Sequence, residues 1–193
     1  LTRQDVQNLI EKLKKDFPIV VDDAMRVANT GLIQRILKAL LHEKIPVKDM
    51  LTILETVADI AEYSKNIDVL VENVRARLAR VITGQYRSDD GVLRLVTFST
   101  DSEQKLLDKV RDQNGTRNLL LSVGEINALV EGASETARKV LERGIAPVII
   151  IADPLLRKGL VDIFERFGLD VVVLSHAEID TTAKFEVVGT IVI

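Results

Sequence analysis

The chain contains no cysteine. Without a thiol it can form no disulfide, no thiolate metal site and no cysteine nucleophile, which suits a reducing compartment. It also lacks any apolar run near the ~18–20 residues that cross a bilayer. Basic residues are not in excess, since 26 Lys and Arg stand against 29 Asp and Glu for a formal net charge of -3. Nucleic acid is therefore not an expected partner, because a nucleic-acid surface needs a basic excess.

Three motifs of phosphate and nucleophile chemistry are also missing: GxGxxG, GxxxxGK[ST] and GxSxG do not occur. A dinucleotide site, a P-loop and a nucleophile elbow are therefore not expected. The run VIIIAD resembles the strand and acid that hold Mg²⁺ in P-loop enzymes, but Asp153 before Pro154 is explained as a helix N-cap. A phosphoacceptor receiver domain needs an acidic cluster after its first strand. Here Asp101 and Glu103 fall at a predicted helix start instead.

The two histidines offer little support for catalysis. His42 ends a predicted helix, where a cationic imidazole is favoured by the helix dipole. His176 follows the end of a predicted strand, with Ser175 and Glu178 beside it in sequence, yet no elbow exposes the serine as a nucleophile. We expect no catalytic residue, no metal ligand and no cofactor, with a small α/β enzyme or receiver-like domain as a remote alternative.

What the sequence does contain is a pair of amphipathic helices between residues 30 and 63. Thr30 is predicted to cap the first, and Pro46 to open the second, which runs from about Val47 to Tyr63. The short connection predicts that the two are antiparallel neighbours. Their apolar positions form one broad face on each helix: Leu32, Ile33, Ile36, Leu37, Leu40 and Leu41 on the first, and Met50, Leu51, Ile53, Leu54, Val57, Ile60 and Ala61 on the second.

Two further helices are predicted around this pair. One runs from Ile67 to a stop at Gly84. The other begins at Thr2, which forms a capping box with Asp5, and is ended by Pro18. The segment 19–28 is ambiguous between an extended piece and a short helix. We predict an all-helical subdomain over residues 16–88, with residues 1–15 a helix left from a preceding subdomain. Since no initiator methionine or signal peptide is present, we expect a piece of a longer protein.

The second half alternates strands and helices. The polar run 87–91 is the predicted boundary and a possible hinge, with Arg87 and Gly91 at its ends. Strands are predicted at 92–99, 147–152 and 170–175, with an edge strand at 185–193, and helices at 101–112, 122–143 and 154–168. Residues 113–118 are expected to form a loop. The second and third of these strands should be parallel, because a helix connects them. The fold class is thus α + α/β: a helical bundle subdomain, then residues 89–193 as a small mixed or parallel sheet with flanking helices.

Charged residues of the helical half form two groups. Glu55, Asp59 and Glu62 make an acidic stripe, and Arg77 and Arg80 can share a helix face. One interpretation is ordinary solvated surface. The other is complementary charge between neighbouring copies in a ring.

A family resemblance rests on the run GLIQRILKALLHEKIPVKDMLTILETVADIA. It is similar to the cytoplasmic region of the FlhA family, export-gate proteins of flagellar type III secretion, and of its virulence-secretion homologues. The resemblance continues in VLVENVRARLARVITGQY, PVIIIADPLLRKGL and VVVLSHAEI. The family usually has Arg where Lys48 stands, next to Asp49, a change that keeps the charge but loses the bidentate fork. The matched positions of the first run are Leu32, Ile33, Gln34, Ile36, Leu37, Leu40, Leu41, Glu43, Ile45, Val47, Lys48, Asp49, Thr52, Ile53, Leu54, Glu55 and Ala58.

This resemblance implies the C-terminal part of the cytoplasmic domain of a non-enzymatic export gate, at the cytoplasmic face of the bacterial inner membrane. Such a gate forms a ring below a membrane channel and docks substrate–chaperone complexes and other export-apparatus proteins. The membrane is reached only through the missing N-terminal part, and the chaperone-docking residues lie largely before Leu1. Candidate ring or partner contacts are Lys48, Asp49, Glu55, Asp59, Glu62, Arg77 and Arg80. A virulence secretion gate is the near alternative.

Overall fold

The computed structural model describes all residues from 1 to 193. The chain divides into two compact units. The first consists of residues 1–78 together with 114–116, and the second of residues 79–113 together with 117–193. This division falls at 78/79, before the predicted boundary at 88/89.

The first unit is built from five α-helices. They are α1 (Arg3–Asp16), α2 (Pro18–Val27), α3 (Thr30–His42), α4 (Met50–Ile60) and α5 (Ile67–Arg77). The predicted capping box is present at the start of α1, since Asp5 N–H donates to Thr2 Oγ1 at 3.1 Å and Thr2 N–H donates to Asp5 Oδ2 at 2.8 Å. Helix α1 packs against α2, α3 and α4 in this unit. Its assignment to a preceding subdomain stays a prediction.

The apolar stripes of α3 and α4 both pack against α5. The prediction that α3 and α4 are themselves close neighbours was wrong, because α2 and α5 are the helices that cover α4. The central side chains of α3, α4 and α5 have no exposed surface: Ile33, Ile36, Leu37, Leu40, Ile53, Leu54, Val57, Leu70 and Val74. Helix α4 packs against both α2 and α5, while α3 packs against α1 and α5. Burial of large aliphatic side chains contributes roughly 1.5–3 kcal/mol each, so this cluster is the main source of stability of the unit. Leu41 lies outside the stripe and is 43% exposed, contrary to its predicted burial.

Several predicted helix ends in the first unit were wrong. Helix α3 is capped by Asn29 rather than by Thr30. Helix α4 is capped by Asp49 and therefore begins after the start that was predicted at Pro46. In both cases the nearby side-chain oxygen that reaches the free N–H groups decides where the helix begins. Pro18 both ends α1 and occupies the first turn of α2, which resolves the ambiguous segment 19–28 as helix.

The third predicted helix is in fact two. Helix α5 ends at Arg77, and α6 (Ala79–Tyr86) begins the second unit. The backbone leaves helical geometry at Leu78, with φ -96° and ψ 18°. Gly84 lies inside α6 and does not stop it. The apolar spacing continued through this break, so periodicity alone gave no sign of it.

The second unit contains a four-stranded sheet in the order β5–β4–β1–β6, in which all neighbouring strands are parallel. The strands are β1 (Val92–Phe98), β4 (Ile149–Ala152), β5 (Val172–Ser175) and β6 (Lys184–Ile191). In register, Val96 lies opposite Ile150, and Ile150 opposite Val173. The predicted parallel pairing of β4 with β5 and the edge position of β6 are confirmed.

Helices α7 (Thr100–Leu107), α8 (Val123–Glu142) and α9 (Pro154–Arg166) complete this unit. Its core joins one side of the strands to α8 and α9 through these buried residues: Val96, Phe98, Leu129, Ala133, Ile150, Leu156, Leu160, Phe164, Val173 and Ile191. The predicted capping box of α8 is present, because Glu125 N–H donates to Ser122 Oγ at 3.1 Å and Ser122 N–H donates to Glu125 Oε1 at 2.9 Å.

The predicted helix 101–112 and loop 113–118 were wrong. Helix α7 is capped by Ser99, not Asp101, and ends at Leu107. A hairpin follows, formed by β2 (Val110–Gln113) and β3 (Thr116–Leu119). Its two-residue turn has φ 54° at Asn114 and φ 76° at Gly115. Asn-Gly is the preferred sequence for such a turn, so the signal for a hairpin was present in the sequence.

None of the helices combines the length and apolar character that a membrane span requires.

Candidate interaction surfaces

The predicted acidic stripe lies on α4 and just beyond its end. Glu55, Asp59 and Glu62 are all exposed. Asp59 already has a cationic partner in the same unit, because its Oδ2 lies 2.8 Å from Nη1 of Arg77. The two side chains are 60% and 42% exposed, so the pair contributes about 0.2–1 kcal/mol at most. The structure therefore brings together Asp59 and Arg77 within one copy.

Asp49 has a local role. Its carboxylate accepts a hydrogen bond from Thr52 N–H at 3.1 Å and another from Thr52 Oγ1 at 2.7 Å, and so caps α4. Lys48, directly before it, is exposed. The family-like Lys-Asp dipeptide thus combines a structural cap with an exposed charge.

The prediction that Arg77 and Arg80 share a helix face was wrong. Arg77 is the last residue of α5 in the first unit, and Arg80 lies in α6 in the second. The break at Leu78 separates them, because it turns the chain out of one helix before the next begins.

The predicted hinge, residues 87–91, is a hydrogen-bonded turn inside the second unit. Ser88 N–H donates to the Val92 carbonyl at 3.1 Å, and Gly91 N–H donates to the Ser88 carbonyl at 2.9 Å. Gly91 has φ 81°, a conformation that L side chains rarely adopt. The Asp90 carboxylate lies 2.6 Å from Nη2 of Arg94. The hydrogen bond from Arg94, followed by that from Val92 N–H, lowers the pKa of Asp90.

His176, Ser175 and Glu178 do not form a hydrolytic arrangement. The Glu178 carboxylate accepts a hydrogen bond from Ser175 backbone N–H at 2.7 Å. His176 is 55% exposed and lies 3.8 Å from Glu103. Asp153 is confirmed as a cap, since its Oδ1 accepts from Leu155 N–H at 2.8 Å. No group of three or more His, Cys, Asp or Glu side chains is arranged to hold a metal ion.

Sequence reasoning missed a buried ion pair in the second unit. Arg157 Nε lies 3.7 Å from Glu178 Oε1, and the two side chains are 0% and 1% exposed. Thr83 Oγ1 donates to the Glu178 carbonyl at 2.9 Å and accepts from Asp180 N–H at 2.9 Å. These bonds attach the short 3₁₀ helix His176–Glu178 to α6 and α9. An arginine between the leucines of LLRKGL was the available signal, because a charge on an apolar face is usually paired.

An apolar cavity of about 450 Å³ was also missed. It lies over β1, β4 and β6, where Leu95, Ile151 and Phe185 line it. Phe185 is 63% exposed and Val187, also in the lining, is 49% exposed. Alternation in β6 predicted the strand, but it could not show that the apolar side lies open.

The fold of these two units is that of cytosolic domains from type III secretion systems. The cytosolic domain of EscV, solved as a nonamer, superposes with a TM-score of 0.80 at 23% identity, covering 97% of this chain and 55% of that one. The C-terminal domain of InvA gives a TM-score of 0.88 at 26% identity, covering 99% of this chain and 58% of that one.

The chain belongs to the FHIPEP family, to which residues 1–184 match. It is 54% identical over 192 residues to the flagellar biosynthesis protein FlhA of Helicobacter pylori, covering 99% of this chain and 26% of that protein. FlhA of Caulobacter vibrioides is 32% identical over 192 residues, covering 99% of this chain and 27% of its own length. The chain thus spans about a quarter of these curated relatives, and the resemblance to the FlhA family is confirmed.

Proposed function

We propose that this chain is the C-terminal part of the cytoplasmic domain of a flagellar type III protein export gate. Such a gate forms a ring below a membrane channel at the cytoplasmic face of the bacterial inner membrane and docks export substrates with their chaperones. The observation that carries the proposal is the 54% identity to FlhA of Helicobacter pylori across 99% of the chain. The chaperone-docking residues are proposed to lie outside this chain.

Complementation tests the flagellar assignment. The full-length protein that contains this chain should restore export of flagellar subunits to a bacterium whose own FlhA gene is deleted. The same protein should not restore secretion to a strain lacking a virulence gate such as InvA, although the fold is shared at a TM-score of 0.88. Rescue of the virulence strain alone would favour the second candidate, a virulence secretion gate.

We also propose that the chain takes part in ring assembly. Cytosolic domains of the same fold form nonamers in EscV and in SctV-C from EPEC, the latter with a TM-score of 0.81 at 23% identity. A ring contact is heterologous, so two different faces of one copy must fit each other. The candidate contacts remain Lys48, Asp49, Glu55, Asp59, Glu62, Arg77 and Arg80. The measurement is light scattering of a longer chain that includes the preceding subdomains, which should show an oligomer whose mass falls at high salt.

Export-apparatus partners are part of the proposal as well. CdsV of Chlamydia pneumoniae, with a TM-score of 0.84 at 22% identity, has been solved in complex with CdsO. The likeness in fold supports the proposal that this chain binds a comparable partner. We propose no enzymatic activity and no cofactor; a panel of nucleotides and common metabolites should leave the melting temperature unchanged, since a ligand that binds only the folded state would raise it.

The turn 87–91 is proposed to act as a hinge during export. Proline holds φ near -65°, far from the 81° of Gly91, so Gly91→Pro should reduce secretion. Because the same substitution strains the turn, the melting temperature must be measured alongside. Ser88→Ala is the control, because it keeps the backbone hydrogen bonds of the turn. Gly124→Pro would not serve, because Gly124 lies in α8 and not in the turn. Normal export by a folded Gly91→Pro variant would refute the hinge.

A further inference from the structure

A basic cavity lies in the first unit, apart from the acidic residues of α4 considered above. Its volume is about 640 Å³. Its lining contains four cationic side chains and no carboxylate: Arg3, Arg26, Arg35 and Lys65. These cations come from α1, α2, α3 and the connection before α5, so only the folded unit brings them together. The first 78 residues carry 12 basic and 12 acidic residues, so this concentration of positive charge is local.

Lys65 and Arg26, two of the cations of this basic cavity, have different kinds of partner. Lys65 Nζ donates to the Val27 carbonyl, which is neutral. Arg26 has a carboxylate partner, because Asp23 Oδ1 lies 3.1 Å from Nη2 of Arg26. An anionic group placed in the cavity is attracted by all four cations of its lining and is therefore stabilised there.

The walls of the cavity are positioned by polar bonds that join α3 to α1 and to Leu1, which precedes α1. Thr30 Oγ1 donates to Gln7 Oε1 at 3.1 Å, and Gln34 Nε2 donates to the Leu1 carbonyl at 3.0 Å. Gly31 leaves room for Arg3 over the start of α3, because a Cβ at this position would lie only 3.1 Å from Nη2 of Arg3. A binding surface held in place before its ligand arrives loses less entropy on binding.

We propose that the basic cavity docks an acidic peptide segment of a partner protein. The volume of about 640 Å³ and the spread of cations over four chain segments suit several carboxylates on one peptide better than a single small anion. Val27, Ala28 and Leu32 also line the cavity and provide apolar contact between the charges. Nucleic acid is not favoured, because the chain as a whole carries a formal net charge of -3.

Fluorescence anisotropy with a rhodamine-labelled hexaglutamate peptide tests this proposal on the full 193-residue chain. The peptide should bind with an affinity that falls as salt is added, and a hexalysine peptide should not bind. Arg35→Ala and Lys65→Ala should each weaken binding about two- to fivefold, as expected for exposed charge pairs. Asp23→Asn should tighten binding, because it releases Arg26 for the peptide.

Lys38→Ala is the matched control, since it removes one exposed positive charge from α3 at a residue outside the lining. It should change the affinity little, and circular dichroism should show that all variants melt like the unaltered chain. The proposal is overturned if the double variant Arg35→Ala/Lys65→Ala binds the peptide as tightly as the unaltered chain. It is also overturned if Lys38→Ala loses as much affinity as Arg35→Ala or Lys65→Ala, or if Asp23→Asn does not tighten binding. Displacement of the peptide by an equal concentration of inorganic phosphate would also overturn it, in favour of a small-anion site.

Discussion

Arg157 and Glu178 show how a pair of residues can decide the stability of the second unit. Both side chains are buried, with exposures of 0% and 1%, and their charges lie 3.7 Å apart. Removing one member leaves the other charge buried without its counterion, which typically costs about 3–5 kcal/mol. We therefore expect Arg157→Met to lower the free energy of unfolding by about that amount in urea titration.

The matched variant is Arg166→Met, at the exposed end of the same helix, which should change the free energy of unfolding by less than about 0.5 kcal/mol. Adding Glu178→Gln to Arg157→Met should cost less than the sum of the two single changes, because the second change removes the buried charge left by the first. Strict additivity would contradict the pairing.

Glu125 predicts a pH dependence at the residue scale. Its carboxylate accepts a hydrogen bond from Ser122 N–H, and this bond, with the Ser122 hydroxyl and Lys109 adding to it, lowers the pKa of Glu125 below its ordinary 4.5. A depressed folded-state pKa means that the stabilisation is complete above the unfolded value and is lost as pH falls through the folded value. The melting temperature of Glu125→Gln should therefore fall less between pH 6 and pH 3 than that of the unaltered chain.

Glu131→Gln is the control for this measurement, because Glu131 is exposed on the same helix and takes no part in the capping box. Parallel melting profiles for the unaltered chain and Glu125→Gln across this pH range would argue against the ionised cap.

At the scale of elements, two glycines on neighbouring helices should respond oppositely to alanine. Alanine is favoured over glycine in a helix by about 0.5–1 kcal/mol. A Cβ at Gly124 in α8 would meet nothing within 4 Å, so Gly124→Ala should stabilise. A Cβ at Gly159 in α9 would lie 2.6 Å from Cβ of Leu119, close to the hairpin backbone, so Gly159→Ala should destabilise by about 1–3 kcal/mol.

Thermal melting of the two variants gives the comparison directly. Truncating the neighbour should relieve the strain in part, so Gly159→Ala combined with Leu119→Gly should lose less stability than the sum of the single changes. Stabilisation by Gly159→Ala alone would show that α9 and β3 are not packed this closely.

The sequence predicted some boundaries of helices and strands and missed others. Starts at Thr2, Ser122 and Asp153 were correct, because a cap depends on residues two or three positions away. The end of α5 and the hairpin β2–β3 were missed. The first has no local signal in the apolar spacing, and the second has an Asn-Gly turn but strands of only four residues each. Short strands give alternation too little length to be recognised.

At the scale of the whole molecule, the proposed ring predicts an effect of charge reversal. In a longer chain that assembles, Glu55→Lys together with Glu62→Lys should lower the oligomer mass in light scattering at low salt, because the acidic stripe would repel a basic neighbour. The control is Glu11→Lys, which reverses an exposed charge on α1. An unchanged oligomer in the double variant would exclude the stripe from the ring contact.

The sequence alone determined family membership, the caps at Thr2, Ser122 and Asp153, and the four strands of the parallel sheet. These features depend on residue types at short, fixed spacings along the chain, and the amino-acid sequence contains that information directly. The pairing of Asp59 with Arg77, the burial of Arg157 against Glu178 and the gathering of four cations around one cavity were decided only by the tertiary structure. Each of these joins residues from different segments of the chain, and electrostatic interaction depends on their distance in space rather than along the chain.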